Sequence, residues 1–231
     1  VATLMAVARF FEENDRVVEF DINPLRLYED GALAVDARII VSDEPVHIER
    51  KARQQLPLEY FNPRSIAVIG ASQDSSKMGY AVMHNLLHFP GQLYPVNNKR
   101  SEIQGLKAYP NIMAIPAPVD LAVITVPAMH VPRVIEECGQ KGVPIAIIIT
   151  AGFREMGLEG RALEDRILEI ARRHGTRLIG PNCLGMIIPP EGIDTTYVHQ
   201  TPSPGNIAFI SQSGAIINTV VDWSLANGIG F

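Results

Sequence analysis

The sequence predicts an α/β fold organised around a doubly wound parallel sheet. From Tyr60 onward, short apolar runs alternate with stretches of helical periodicity, the pattern of repeated strand–helix–strand units. The runs are apolar at successive positions rather than every second one, as strands covered on both faces are. The first 43 residues read differently, as one helix followed by a β-hairpin.

The strands of the main body are 66–69, 93–96, 121–126, 145–150 and 178–179. Between them, Val82, Leu86 and Phe89 mark a helix over 80–89, and Val134, Ile135 and Cys138 mark one over 131–140. Leu163, Ile167, Ile170 and Ala171 line one face of a helix over 160–174, which Gly175 ends as a C-terminal glycine does. Near the end, 207–210 reads as a strand and 215–226 as a helix. The Pro-containing stretch 189–204 reads as a connector into a further α/β domain. The expected division is therefore 1–43, a polar linker 44–59, a Rossmann-like domain 60–200, and the start of a second, flavodoxin-like domain over 201–231.

Composition sets outer limits. Hydrophobic residues make up 47% and charged residues 19% of the 231, ordinary values for a globular protein with buried strands. A net charge of −5 without clustered Lys and Arg argues against nucleic acid as a partner. The apolar start reaches Arg9 and Glu12 too early for a membrane span and lacks a signal-peptide pattern. Cys138 and Cys183 form neither a disulfide framework nor a metal knuckle, which suits a reducing cytoplasm. Without an initiating Met, the sequence is expected to lie inside a longer chain.

The first strand runs into Gly70-Ala71-Ser72 and then a polar stretch to Lys77, Met78 and Gly79, where a helix begins. A first strand–loop–helix of a doubly wound sheet turns backbone N–H groups and a helix N-terminus toward an anion, commonly a pyrophosphate. Ser72, Ser75 and Ser76 add hydroxyl donors and Lys77 a charge. The loop is not the tight G-x-G-x-x-G of dinucleotide sites. The second strand ends Tyr94-Pro95-Val96-Asn97-Asn98-Lys99-Arg100, with bases where an NAD site wants an acid for the ribose. That suits a ribose bearing an extra phosphate, as in CoA or NADP.

Residues Phe61 to Ser72 resemble the opening of the CoA-binding domain of NDP-forming acyl-CoA ligases, the succinyl-CoA synthetase superfamily. Tyr94-Pro95-Val96-Asn97, Val119 to Ile124, Thr150-Ala151-Gly152-Phe153 and Gly180-Pro181-Asn182-Cys183-Leu184-Gly185 follow in that family's order. Among its members, the ADP-forming acetate or acyl-CoA synthetases are the most similar. The resemblance implies that Gly70, Ala71, Ser72, Lys77 and Gly79 hold the CoA pyrophosphate. It implies that Pro95, Val96, Asn97 and Lys99 lie near the adenosine end, with Val126-Pro127 beside the adenine. Gly152 and Asn182 are implied near the pantetheine arm and thiol. Cys183 has no general base partner in the sequence, so a nucleophilic role is not expected.

Ser211, Ser213 and Gly214 stand at a helix start, where hydroxyls and glycine serve either an anion or a simple N-cap. In the ligases this Ser-x-Ser-Gly motif resembles one of the helix N-termini that hold the phosphoryl group of a phosphohistidine. None of the six histidines sits in the expected Gly-His setting, so that residue is expected beyond Phe231. His84 and His88 share a helix face at metal-ligand spacing but find no third ligand.

In the hairpin, strands 19–25 and 34–39 pair about an Asp30-Gly31 turn, which places position 23 opposite 38. Asn23 and Asp36 become diagonal neighbours on a face shared with Glu19 and Asp21, an oxygen-only set suited to Mg²⁺. Phe20 and Ile22 face a core with Val35, Ala37 and Ile39. The segment is similar to the last strands of an ATP-grasp domain, whose metal ligands Asn23 and Asp36 match. The implied parent reaction joins a carboxylic acid to CoA at the expense of Mg-ATP, through an acyl phosphate and a phosphohistidine, in an oligomer whose other domains complete the site. A non-catalytic CoA-sensing module and an NADP oxidoreductase domain are the alternatives the residues leave open.

Overall fold

The computed structural model describes residues 2–22, 25–28, 31–44 and 57–231. The chain forms two compact units, residues 1–55 and 56–231. Most of the expected linker, 45–56, lies outside the described residues.

In the first unit, α1 (Ala2–Glu13) precedes β1 (Val17–Ile22), β2 (Leu25–Tyr28), β3 (Gly31–Ala34) and β4 (Ala37–Val41). β1 pairs antiparallel with β4, and β2 with β3. The rings of Phe10 and Phe11 on α1 lie 5.2 and 6.3 Å from that of Phe20 on β1, which ties helix to ribbon. The register differs from the expected one. Ile22 lies opposite Ala37 and Leu25 opposite Ala34, so the turn between Tyr28 and Gly31 is centred one residue earlier. An offset of two residues keeps the paired positions of β1 and β4 in the expected alternation. The expected core on the far side is only partly formed: Phe20 and Ile22 are half-buried, Phe20 against Phe10 and Phe11, while Val35 and Ile39 are 55% and 47% exposed. A ribbon of two strands has no second layer of its own to cover that face.

The second unit contains β5 (Ser65–Ile69), α2 (Met78–Asn85), β6 (Gln92–Val96), β7 (Glu102–Ile103), β8 (Leu106–Lys107) and β9 (Leu121–Ile124). There follow α3 (Val131–Gln140), β10 (Ile145–Ile148), α4 (Leu158–His174), β11 (Arg177–Ile179), β12 (Ile187–Ile188), β13 (Ile193–Asp194) and α5 (Gly214–Ala226). Five strands form one parallel sheet in the order β11-β10-β9-β5-β6. Chain direction across the sheet reverses between β5 and β9, so the carboxyl ends of these two strands border the crevice where doubly wound folds bind ligands.

Alternate residues of the strands feed two cores. Ala67, Ile69, Ala122, Ile124, Ala146 and Ile148 meet Val134, Ile135 and Cys138 of α3 and Ile167, Ile170 and Ala171 of α4. Ile66, Val68, Leu121, Val123, Ile145 and Ile147 meet Val82, Met83 and Leu86 of the α2 region. Each fully buried isoleucine contributes roughly 1.5–3 kcal/mol over its exposed state. α4 ends on Gly175 at φ 74°, whose N–H reaches back to the carbonyls of Ala171 and Arg172. Among the described residues, no helix is long and apolar enough to cross a membrane.

One expectation fails here. Residues 207–210 form no strand; Ile207, Phe209 and Ile210 are 48%, 43% and 96% exposed. An apolar run becomes a strand only when a neighbouring strand accepts and donates its backbone hydrogen bonds. The 189–204 connector has structure of its own. It carries β13, paired with β12, and buries Asp194, Thr195 and Thr196. The Asp194 carboxylate accepts from the hydroxyls of Thr196 and Thr201, each at 2.6 Å. Asn85 of α2 donates to the carbonyls of Thr196 and Val198, each at 2.9 Å, so this stretch is bonded to α2.

Candidate functional site

β5 leaves the sheet at Gly70, whose φ of 95° suits glycine alone among common residues. A Cβ there would stand 2.7 Å from Thr125 Oγ1, at the end of β9. Gly79, in the first turn of α2, is buried against the Gly70 carbonyl, with no room for a Cβ. The two glycines thus let α2 begin directly on the end of β5. Ser72 is buried, and its N–H points to the Gly79 carbonyl at 3.4 Å.

The exposed arc between them is organised from within. Ser72 Oγ accepts the N–H of Asp74 at 3.0 Å. The Asp74 carboxylate accepts the Ser76 N–H at 3.0 Å and its hydroxyl at 2.7 Å. Those two bonds, helped by the Lys77 charge, hold the Asp74 carboxyl below the usual carboxylate range. Lys77 is the N-cap of α2 in extended conformation, and its N–H donates to the Asp74 carbonyl. The result is an open loop ahead of a helix N-terminus, as an anion site requires.

The β6 end borders this loop. Pro95 and Val96 are buried, and the Val96 carbonyl accepts the Gly70 N–H at 3.1 Å. Asn97 donates to the Ala71 carbonyl at 2.8 Å and accepts the N–H groups of Lys99 and Arg100 at 2.8 and 3.0 Å. Its side chain therefore shapes the site, while Lys99 and Arg100 stand exposed with their charges outward.

Val126 and Pro127 follow β9 beside the same crevice, with the Val126 carbonyl held by Thr150 Oγ1 at 2.7 Å. Gly152, after β10, takes φ 108° and donates its N–H to Glu155 at 2.6 Å. Burial raises the Glu155 carboxyl, but N–H donors from Gly152, Phe153 and its own backbone outweigh that and leave it lowered. Asn182 adopts φ 53° after a cis Gly180–Pro181 bond, its N–H on the Thr150 carbonyl at 3.0 Å. All the predicted site residues from Gly70 to Asn182 thus lie at the carboxyl end of the sheet or in loops bonded to it.

The Cys183 thiol is not activated as a nucleophile would be. Burial pushes its thiol up to about 11, and Sγ lies 3.4 Å from the Ile148 carbonyl. At the start of α5, Ser213 Oγ accepts the Ile216 N–H at 3.4 Å, and Ser211 Oγ accepts the Ser213 N–H at 3.0 Å. Ser213 is thereby a working N-cap, with Gly214 the first helical residue. Asn23 lies outside the described residues. Asp36 is exposed, and Glu19 of the expected ligand face is engaged in an ion pair with Arg38. No group of three acidic, His or Cys side chains able to hold a metal occurs among the described residues.

Gln104 was not legible as a site residue. It sits at the tip of the β7–β8 hairpin, where its amide donates to the carbonyls of Ser72 and Tyr80 at 3.3 and 3.0 Å. The signal available was the Gln-Gly pair between apolar Ile103 and Leu106, a two-residue turn pattern.

Residues 64–189 match the family model described as CoA binding domain, and residues 1–41 match an ATP-grasp domain. Acetate–CoA ligase (ADP-forming) I of Archaeoglobus fulgidus is 50% identical over 171 residues, covering 74% of this chain and 25% of the relative. The alpha subunit of acetate–CoA ligase (ADP-forming) II of Pyrococcus furiosus is 47% identical over 173 residues, covering 74% and 38%. The solved structure of Ca. Korarchaeum cryptofilum acetyl-coenzyme A synthetase 1 with phosphate and ADP superposes with a TM-score of 0.72 at 42% identity, covering 75% of this chain and 38% of that one. The chain thus spans between 25% and 38% of the length of these relatives. With over half of its residues in the matched segment and its loop at the switch point of the sheet, this chain belongs to the CoA-binding domain family, with an ATP-grasp fragment ahead of that domain.

Proposed function

We propose that the chain binds CoA at the crevice between β5 and β9, as the CoA-binding part of an ADP-forming acyl-CoA ligase. The observation that carries this is the open loop from Gly70 to Gly79, set at the switch point inside the family-matched segment. The pyrophosphate would lie on Gly70, Ala71, Ser72, Lys77 and Gly79. Lys99 would meet the 3′-phosphate, Val126 and Pro127 the adenine, and Gly152 and Asn182 the pantetheine arm. The parent reaction would be acid, CoA and ATP giving acyl-CoA, ADP and phosphate. Relatives named as ADP-forming acetate–CoA ligases support that reaction class.

In this chain's own terms, the residues bind and orient CoA. Gly70 and Gly79 open backbone N–H groups toward the pyrophosphate, and the buried strand ends exclude water from one side of it. The thiol would emerge toward Gly152 and Asn182. Residues 201–231 are read as the opening of the next domain, with Ser211, Ser213 and Gly214 at a phosphate-facing helix start. The ATP-grasp fragment would bring Mg-ATP chemistry when the rest of that domain is present, and Asp36 is its exposed carboxylate here.

The test is calorimetric titration with CoA, dephospho-CoA and NADP. Binding of CoA with weaker dephospho-CoA and no NADP is expected. Tight NADP binding without CoA binding would replace this reading with an oxidoreductase one.

A further inference from the structure

The structure assigns Gln104 a positioning role: its side chain holds open the loop that receives the CoA pyrophosphate. This rests on the CoA reading above and adds a residue from outside the strand–loop–helix unit.

Gln104 and Gly105 are the two central residues of the β7–β8 turn, at φ 49° and 79°. Positive φ at both positions is the type I′ hairpin turn, which favours Asn, Asp or Gly first. Glutamine there is conformationally costly, because its longer side chain makes none of the local bonds that let Asn adopt this region. Such an outlier calls for a compensating use of the side chain. The use is visible. Nε2 donates to two carbonyls on opposite sides of the loop, Ser72 where β5 has ended and Tyr80 in the first turn of α2. The Gln104 N–H in turn donates to Gln73 Oε1 at 2.8 Å, so loop and hairpin bond each other reciprocally. The hairpin is itself anchored, with Ile103 fully buried and Leu106 packed on the same core.

A fixed amide bridging Ser72 and Tyr80 adds a brace across the two walls of the proposed anion site, beside the Gly70–Gly79 contact and the loop's own bonds. Without it, the walls are less tightly held, and the pyrophosphate must order the loop further on binding. Preorganisation of that kind appears as affinity rather than as stability.

The experiment separates those two quantities. Gln104→Gly and Gln104→Asn both suit the I′ backbone better, and neither side chain reaches both carbonyls. Each variant trades two hydrogen bonds for a turn backbone it suits better, so its melting point should shift little, yet it should bind CoA and dephospho-CoA about five- to tenfold more weakly through lost preorganisation. The weakening should be equal for the two ligands, because both carry the pyrophosphate. Unchanged CoA affinity in Gln104→Gly, with the unaltered chain binding CoA, overturns this inference alone. A loss confined to CoA also overturns it, since it would place the effect at the 3′-phosphate. Absence of CoA binding by the unaltered chain overturns the CoA reading and takes this inference with it.

Discussion

Gly79 stands so close to the carbonyl oxygen of Gly70 that a Cβ at position 79 would overlap it. Neither partner can give way by rotating a side chain, because both are backbone. The contact fixes where α2 starts relative to the end of β5, and with it the shape of the loop between them.

Gly79→Ala should therefore move the helix start rather than be absorbed. Overpacking of this kind costs roughly 1–3 kcal/mol, which urea denaturation would detect as a lower midpoint at unchanged slope. CoA affinity should fall by roughly tenfold or more, since 1.4 kcal/mol is a factor of ten and the displaced N–H groups are the ones proposed to face the pyrophosphate. An unshifted midpoint with native affinity would mean that the helix start is not held by this contact.

Lys99 and Asn97 should separate charge from scaffold. Lys99 is exposed, so Lys99→Ala should leave stability within about 0.5 kcal/mol while narrowing the preference for CoA over dephospho-CoA. Asn97→Ala removes the donor to Ala71 and the acceptor for Lys99 and Arg100. It should lower stability by roughly 1–3 kcal/mol and weaken both ligands alike. Paired titrations with the two ligands check both expectations. An unchanged ligand preference in Lys99→Ala would move the 3′-phosphate contact to another residue.

The main sheet was legible because its three central strands are buried on both faces and read as unbroken apolar runs bounded by turn residues. The helices over 131–140 and 158–174 were legible from periodicity, and Gly175 from its place after the last apolar turn. The β7–β8 hairpin was missed because strands of two residues leave no periodic trace. The missed network around Asp194 consists of polar residues whose burial depends on α2, more than a hundred positions earlier. Residues 207–210 failed in the opposite way. Composition suggested a strand, but pairing depends on a neighbour that local sequence does not specify. The Gly70–Gly79 loop could be placed from sequence, whereas the glutamine bracing it comes from another hairpin.

Both cysteines should be silent at neutral pH. Burial pushes Cys138 up to about 12 and Cys183 up to about 11, above the ordinary thiol value. At pH 8 roughly one Cys183 in a thousand is thiolate, so iodoacetamide should label it far more slowly than a free thiol. The folded state holds these protons longer than the unfolded one. Their contribution to stability is thus fully present below the unfolded thiol pKa and is lost as pH rises from about 9 through 11–12. Denaturation midpoints should decline across that window, and less steeply in Cys183→Ala. Rapid labelling of the folded chain at pH 8 would contradict the buried-thiol account.

Asp74 presents the opposite balance, a carboxylate placed inside the loop proposed to receive an anion. Its worth lies in accepting two bonds from Ser76, while its charge would oppose the proposed pyrophosphate and partly offsets Lys77. Asn in its place can still accept through Oδ1, so Asp74→Asn should bind CoA as well as the unaltered chain or a few-fold tighter. Asp74→Ala frees both Ser76 donors and should bind several-fold more weakly. Because its carboxyl is held below the usual range, the loop contribution is fully present above that range and is lost only as pH falls through the lowered value. Titrations between pH 7 and pH 4 should accordingly give Asp74 little part in any change of affinity. If Asp74→Asn weakened CoA as much as Asp74→Ala did, the carboxylate would be serving through its charge, with a cation between it and the phosphates as the simplest cause.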